Sequence, residues 1–381
     1  MPAYIRDAVR SPRGKARPDG GLASLKPHEL VGGLIDALDE RTGGVARTAD
    51  GLILGAVGQV GAQGGNVALV SKLHAGLLDA AFAWSLNNYC VSGLTAIGQA
   101  ARLVEATQDA ILAGGVEMMS RVPFMGDKAD YYEDASFPPR TRYIPVVLAA
   151  DRLAEDLGVT REDMDAAALM SQQRTATAEG TPLVKSRIPL NGLDREEAAR
   201  ASTTAESLAA MPAAFGALSQ QYAEALEGRT IDHRHTVAHA PPMTDGAGLA
   251  LVSGERTGAR ARIVAYAEAG GDPAASLTAG FTAMDQALET AGLTLDDMDR
   301  VEFMEDFAVT IVRFLRERSV DPDKVNVGGG HLAKGHPMGA TGAILLSSLL
   351  DALDACEGRY GLVAAAGAQG VGSAMIVERL G

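Results

Sequence analysis

Short apolar segments that end in glycine alternate with helical segments along most of this chain, and this alternation limits its fold more than any other feature. Residues 51–57 and 81–86 have the length and apolar content of buried strands, as do residues 110–113, which a Gly-Gly pair closes. Residues 28–38 place leucines on one stripe of a helix, and an alanine-rich helix runs up to Leu103. Strands that alternate with helices in this way are typical of an α/β fold.

The middle of the chain differs in composition from both ends. Residues from about 119 to 242 are rich in Asp, Glu, Arg, Gln and Ala, with helical stretches at 147–157 and 161–177. The glycine-punctuated pattern then returns and echoes the first part. Because 381 residues are too many for one ordinary core, we predict two halves. The N-terminal half spans 1–252 and carries a helical cap at about 119–242, and the C-terminal half spans 253–381.

Charge and cysteine content argue against several classes of protein. A net charge of -14 at pH 7 disfavours binding to nucleic acid or to anionic membranes, which need a basic face. No apolar run reaches the roughly 18 residues of a transmembrane helix, and the first residues do not resemble a signal segment, so we expect a cytoplasmic protein. Cys90 and Cys356 are too few for a disulfide framework or a cysteine zinc site, which leaves a nucleophile as one possible use.

Cys90 lies between an apolar strand and an apolar helix, where the positive end of the helix dipole favours a thiolate. A lone cysteine is more often a buried structural residue. However, residues 330–342, GHLAKGHPMGATG, form a glycine-rich loop with His336 at its centre. A cysteine nucleophile needs a base to take its proton, and a loop histidine commonly serves. Together the two segments indicate a Cys90 nucleophile with His336 as its base.

Five segments, in this order, resemble the thiolase family and span nearly the whole chain. They are DAVRSP at 7–12, NYCVSGL at 88–94, GGVEMMS at 114–120, KGHPMGATG at 334–342 and GVGSAM at 370–375. The resemblance implies two similar α/β halves, each a mixed five-stranded sheet with helices, plus an inserted helical cap. It also implies coenzyme A and acyl-CoA as substrates, no permanently bound cofactor, and a homodimer or homotetramer.

The resemblance assigns roles to named residues. In thiolases the cysteine of the second segment is acylated and the histidine of the glycine-rich loop activates it, so these roles fall on Cys90 and His336. One oxyanion hole of the family uses the backbone N–H of that cysteine and of a residue in the last glycine-rich loop, which by position is Ala368. We therefore expect an oxyanion hole at Cys90 and Ala368.

Two positions depart from the thiolase pattern. The family's second cysteine, its usual acid/base, falls on Ala366, and Cys356 lies in another helix. The family's Asn-Glu-Ala-Phe segment reads MEDFA at 304–308, and Met304 cannot donate a hydrogen bond to an oxyanion. In the sterol-carrier branch an acid/base cysteine takes the place of Asp306. We predict that Asp306 is the missing acid/base, with a pKa raised by burial; a structural carboxylate is the alternative.

Other residues are expected to contact the substrate. Met119, Met304, Gly335 and Gly370 lie in or beside the family segments, and we expect them at the acyl-CoA. Cap cations such as Arg174 are candidates for the CoA phosphates, with a solvated helix face as the alternative.

Three alternating histidines, His233, His235 and His239, suit a half-exposed strand. No carboxylate or cysteine completes a ligand set beside them, so we predict no metal site.

These observations predict an acyl-CoA C-acyltransferase that catalyses thiolysis of 3-ketoacyl-CoA, or the reverse Claisen condensation, through S-acyl-Cys90. One alternative keeps Cys90 and His336 but transfers the acyl group to another acceptor or to water. Another is a non-catalytic subunit that binds acyl-CoA, against which the intact Cys90 and His336 argue. A hydratase or dehydrogenase partner would fit a role in fatty-acid metabolism. Acyl chain length and the direction of the reaction stay open.

Overall fold

A mixed sheet of ten strands, with helices packed against it, organises the computed structural model, which describes residues 2–107 and 109–381. The strands are β1 (Tyr4–Arg10), β2 (Gly14–Lys15), β3 (Gly51–Gly55), β4 (Phe82–Leu86), β5 (Ala110–Met118), β6 (Thr244–Ser253), β7 (Ala261–Gly270), β8 (Arg300–Phe303), β9 (Tyr360–Gly367) and β10 (Val371–Arg379). The helices are α1 (Pro27–Thr42), α2 (Val67–Ala75), α3 (Ser92–Thr107), α4 (Val146–Asp156), α5 (Arg161–Ala178), α6 (Ala205–Ala209), α7 (Gly216–Gln221), α8 (Ala279–Ala291), α9 (Ala308–Glu317), α10 (His331–Lys334) and α11 (Thr341–Cys356).

Two groups of strands meet edge to edge in the order β4-β3-β5-β6-β1-β7-β10-β9-β8. In the first group β3 pairs in parallel with β4 and β5, and β6 pairs antiparallel with β5 and β1. In the second, β10 lies antiparallel between β7 and β9, and β8 is parallel to β9. A ladder of only two residue pairs between β1 and β7 joins the groups. The predicted α/β class is confirmed.

The predicted strands and helices outside the cap are present, but β5 is longer than expected. The prediction that the pair Gly114 and Gly115 closes this strand is wrong, because β5 stays paired with β6 as far as Met118 opposite Asp245. A second correction concerns residues 233–239, which form an irregular segment instead of a half-exposed strand and bury His235 and His239 completely.

Helices α3 and α11 lie at the centre of the molecule and share one apolar core. Leu94 and Ile97 of α3 pack in the same buried cluster as Leu346 and Leu349 of α11, together with side chains from both groups of strands. Among the described residues one helical stretch, Met338–Cys356, has the length and hydropathy of a membrane span, but 83% of that window is buried inside the protein. This stretch is therefore the core helix between the two groups of strands.

The loop before α11 passes very close to the first half of the chain. A Cβ on Gly115 would lie 2.3 Å from the carbonyl oxygen of Gly339, and one on Gly93 would lie 2.8 Å from the same atom. One on Gly342 would lie 2.5 Å from Leu94. These contacts are possible only without side chains, and they bring the loop that contains His336 against the start of α3.

Replacing Gly115 by Ala tests this close approach. The added methyl collides with backbone rather than a flexible side chain, so we expect the free energy of unfolding to fall by about 1–3 kcal/mol. Urea denaturation measures the change. Gly270→Ala is the matched control in another strand, because a Cβ there meets no atom within 4 Å. Equal stabilities of the two variants would contradict the packing described.

Candidate active site

Cys90 lies in a sharp turn between β4 and α3. Tyr89 takes a positive φ of 47°, which turns the chain toward the helix. The hydroxyl of Ser92 fixes the turn, since it accepts a hydrogen bond from the Asn88 N–H at 2.8 Å and donates one to the Tyr89 carbonyl at 2.5 Å. Cys90 therefore precedes α3 by two residues, with 9% of its surface exposed.

Burial sets the charge of the Cys90 thiol. Loss of water and the negative charge of Asp306 raise the pKa of Cys90 well above its usual value, while the backbone N–H groups of Ala368 and Cys90 lower it. The prediction that the helix end favours a thiolate is therefore wrong for the free protein, since burial outweighs it. The thiol is neutral and needs a base. These are the two N–H groups that we predicted as oxyanion donors, and that role stays a prediction.

His336 follows Gly335 in the loop between α10 and α11. Its backbone N–H donates to the Pro242 carbonyl at 2.8 Å, and its Nδ1 lies 2.7 Å from Thr341 Oγ1. Its Nε2 is buried and bonds to none of the residues in the described part of the chain. Burial and the charge of Arg13 lower the pKa of His336 to about 3, so the ring is neutral. When Nδ1–H donates to Thr341, Nε2 carries the lone pair that a base requires.

The carboxylate of Glu117, at the end of β5, holds the two loops together. Its Oε2 accepts the N–H of Val57 at 2.8 Å and of Gly339 at 3.0 Å. Its Oε1 accepts the N–H of Gly58 at 3.1 Å and Nε2 of Gln63 at 2.6 Å. The segment after β3 and the loop that contains His336 thus meet on one buried side chain. Sequence reasoning assigned Glu117 no role, although it lies in the GGVEMMS segment.

Asp306 lies between β8 and α9, with 3% of its surface exposed. Burial raises the pKa of this carboxyl to about 7, and its Oδ2 has no hydrogen-bond partner in residues 2–107 and 109–381. Because its charge acts on the Cys90 thiol, the two groups share one buried environment. Met304 packs in the same apolar cluster as Cys90, and Ala366 is also buried.

Met119, Gly335 and Gly370 are three further residues that we predicted to contact the substrate. Met119 packs against Val57 and Met338 at the site, and the Gly335 carbonyl accepts a hydrogen bond from Arg13. Gly370 lies in the turn after Ala368, with a φ of 76°. Their contacts with substrate stay predictions.

Arg174 is not brought to this site. Its guanidinium bonds to the carbonyl of Pro322 at 3.0 Å, to that of Val325 and to Asp323. The structure thus commits this cation to the turn after α9, and it does not line the cavity at Cys90. Cys356 ends α11, where its sulfur donates to the Leu353 carbonyl.

The three histidines of 233–239 pair with carboxylates that the local sequence did not reveal. Nδ1 of His233 and of His235 lie 2.7 and 2.6 Å from the Asp151 carboxylate. His239 Nε2 lies 2.6 Å from Asp165. The His239 carbonyl accepts the N–H of Ala308 at 2.9 Å, so this segment supports the start of α9 just beyond Asp306. Within the described ranges, no group of three or more His, Cys, Asp or Glu side chains could hold a metal ion.

The space beside Cys90 is narrow. A cavity of about 30 Å³ is bounded by Tyr89, Met338 and Ala368, among other residues. A second cavity of about 500 Å³ lies beyond Tyr132 and Tyr143, which contribute to the walls of both. The sulfur therefore faces a small closed space that is separated from a larger one by two phenol rings.

Comparison with known proteins agrees with this geometry. The family model "Thiolase, N-terminal domain" matches residues 3–256, and "Thiolase, C-terminal domain" matches residues 257–379. The chain is 34% identical to the 3-oxoadipyl-CoA/3-oxo-5,6-dehydrosuberyl-CoA thiolase of Escherichia coli, over 99% of both chains. It is 33% identical to the acetyl-CoA acetyltransferase of the same organism, over 99% of this chain and 98% of that one.

Solved structures give the same result. Human mitochondrial 3-ketoacyl-CoA thiolase in complex with CoA matches with a TM-score of 0.87 and 27% identity, over 100% of this chain and 98% of that one. The chain belongs to the thiolase family. By that membership it is an acyl-CoA C-acyltransferase that acts on acyl-CoA substrates.

Replacing Thr341 by Val tests the base. Without the hydroxyl, nothing holds the His336 tautomer or its ring orientation, so we expect acylation of Cys90 to slow by about 10- to 100-fold. Mass spectrometry of the intact protein after brief mixing with acyl-CoA measures the rate. Thr341→Ser keeps the hydroxyl and is the control. If the Val and Ser variants acylate equally fast, the hydrogen bond does not prepare the base.

Proposed function

We propose that this protein catalyses thiolysis of 3-ketoacyl-CoA and the reverse Claisen condensation through an S-acyl-Cys90 intermediate. The observation that carries the proposal is the neutral, buried thiol of Cys90 with two backbone N–H groups at its sulfur, in the loop array that also holds His336. The unpartnered Nε2 of His336 supplies the base that such a thiol needs. Coenzyme A takes part as a substrate and is not permanently bound.

In thiolysis, His336 takes the proton of the Cys90 thiol while the sulfur attacks the keto carbon of the substrate. The tetrahedral oxyanion accepts hydrogen bonds from the N–H groups of Cys90 and Ala368. As the oxyanion collapses, the bond between C2 and C3 breaks and acetyl-CoA leaves as a carbanion, which needs a proton. The S-acyl group then passes to the sulfur of a second CoA, and Cys90 regains its proton from His336.

Asp306 is the proposed source of that proton. With a pKa near 7, it is partly protonated at neutral pH, so it protonates the acetyl-CoA carbanion and as a carboxylate takes the thiol proton of the incoming CoA. Ala366 has no proton to transfer, and Asp306 is the buried acid whose charge acts most strongly on the Cys90 thiol. In the condensation the same carboxylate removes a proton from acetyl-CoA.

A different acyl acceptor is the second candidate, and the observation that favours it is the pair Ala366 and Met304. Neither side chain moves a proton or donates a hydrogen bond. An enzyme that transfers its acyl group to an amine, a hydroxyl or water would not need the carbanion step. Acylation of Cys90 without thiolysis at any chain length would favour this function, and absence of acylation would favour a non-catalytic binding subunit.

The cellular setting follows from the same proposal. A homodimer or homotetramer in the cytoplasm fits the family. A hydratase/dehydrogenase partner would supply the 3-ketoacyl-CoA, because the hydratase forms a 3-hydroxyacyl-CoA that the dehydrogenase oxidises. These assignments rest on the resemblance to thiolases, and size-exclusion chromatography with light scattering tests the oligomer.

Thiolysis of 3-ketoacyl-CoAs of several lengths is the direct test of the proposed function. We expect CoA-dependent loss of enolate absorbance in the native protein. We expect no turnover above background in Cys90→Ala, because the acyl group then has no sulfur to bind. Turnover that survives in Cys90→Ala would sink the covalent mechanism.

The pH profile tests Asp306. Thiolysis needs the protonated acid, so its rate should fall as pH rises through about 7, whereas condensation should fall as pH drops through the same value. Asp306→Asn should remove the limb of each pH profile that changes near pH 7. It should also lower turnover by about 10²–10⁴-fold. Acylation of Cys90 by acyl-CoA should persist.

Glu302 provides the matched control, because burial also raises the pKa of this carboxyl, which lies four residues before Asp306. Glu302→Gln should leave the limb in place. If the limb disappears in Glu302→Gln and stays in Asp306→Asn, the titrating group is Glu302, and the role of Asp306 is refuted.

A further inference from the structure

His331 is a buried histidine that the proposed mechanism does not use. It begins α10, and only 1% of its surface is exposed. Its ring lies against that of His336, with centroids 5.7 Å apart and planes at 81°. Sequence reasoning included it in the glycine-rich loop without giving it a role.

Its backbone is fastened to the segment that contains Met304 and Asp306. The N–H of Leu332 donates to Glu305 Oε2 at 3.0 Å. A Cβ on Gly330 would lie 2.0 Å from the carboxyl carbon of Glu305, so the chain packs directly on that side chain. The ring of His331 thus lies against the base, and the two residues that flank it pack on Glu305, next to Asp306.

Neither ring nitrogen of His331 has a hydrogen-bond partner in the ranges that the structure describes. The same holds for Nε2 of His336 and Oδ2 of Asp306. A buried polar atom without a partner is destabilising, and proteins rarely leave several together unless water or a ligand satisfies them. Such atoms on three side chains of one region indicate that a polar ligand completes their hydrogen bonds.

The charge state of His331 suits a donor. Burial and the positive charges of Arg13 and Lys334 keep the pKa of His331 well below its usual value, so the ring is neutral. A neutral imidazole still carries one N–H. It can therefore donate to a developing oxyanion without bringing a second positive charge beside Arg13.

The proposed reaction lacks a second donor to the oxyanion of its carbanion step. When acetyl-CoA leaves as a carbanion, negative charge moves to its thioester oxygen and needs hydrogen-bond donors there. His336 supplies one through Nε2–H after it has taken the thiol proton. Met304 offers none.

We propose that the ring N–H of His331 is the second donor to this thioester oxygen, directly or through one water molecule. His331 donates only this hydrogen bond. It forms no covalent bond, and its proton stays on the ring. The inference rests on the proposed function, because it concerns the carbanion step of thiolysis and condensation.

The test separates the carbanion step from acylation of Cys90. Exchange of the acetyl-CoA methyl protons with deuterated water, followed by mass spectrometry, reports the carbanion step. Acylation of Cys90 by acyl-CoA, read from the intact mass, reports the thiol and His336. We compare the native protein with His331→Leu, which has no donor, and His331→Gln, which keeps a side-chain N–H.

We expect His331→Leu to slow the exchange about 10²–10³-fold, the usual loss for one oxyanion donor. Acylation should stay within about threefold of the native rate, and His331→Gln should recover exchange at least about tenfold over His331→Leu. His331→Met replaces His331→Leu if thermal melting shows that the latter does not fold.

Two results overturn the proposal. One is exchange in the apolar variant that equals the native rate. The other is an equal loss of exchange and acylation in the apolar and Gln variants, which identifies a packing role. A native protein that neither exchanges nor becomes acylated instead refutes the proposed function, and this inference with it.

Discussion

The site depends on the hydrogen bonds that the buried carboxylate of Glu117 accepts. A buried charge is tolerated only when hydrogen bonds replace its water, and Glu117 obtains four from three separate segments: the backbone of Val57 and Gly58, the amide of Gln63 and the backbone of Gly339. These segments come from both ends of the chain. The requirement to pair one carboxylate therefore fixes the loop of His336 against the half that carries Cys90.

Burial favours the neutral form of the thiol, the carboxyl group and the two imidazoles of the site. The pKa of Cys90 and of Asp306 is raised, and that of His336 and of His331 is lowered. Side chains that are mostly neutral can be closed to water at little electrostatic cost. In the proposed mechanism, charge then develops only during the reaction, where backbone N–H groups and imidazoles would stabilise it.

The local sequence was informative where the role of a side chain depends on its residue type and on the turn formed by its neighbours. Cys90 before a helix and His336 in a glycine-rich loop could be identified because neighbouring residues determine their turns. The segment 233–239 was misjudged because its histidines are held by Asp151 and Asp165, which lie on helices about seventy to eighty positions away in the sequence. The partners of Arg174 could not be predicted for the same reason, since they lie beyond α9.

The sequence by itself determined the α/β class, predicted Cys90 as the nucleophile and His336 as its base, and placed Ala366 where thiolases usually carry a second cysteine. These follow from hydrophobic period and from residue chemistry, which are local properties. Only the tertiary structure decided the neutral thiol of Cys90, the acidity of Asp306 and the contact between His331 and His336. Those depend on how much water and which distant charges reach each group, and packing of remote segments alone sets both.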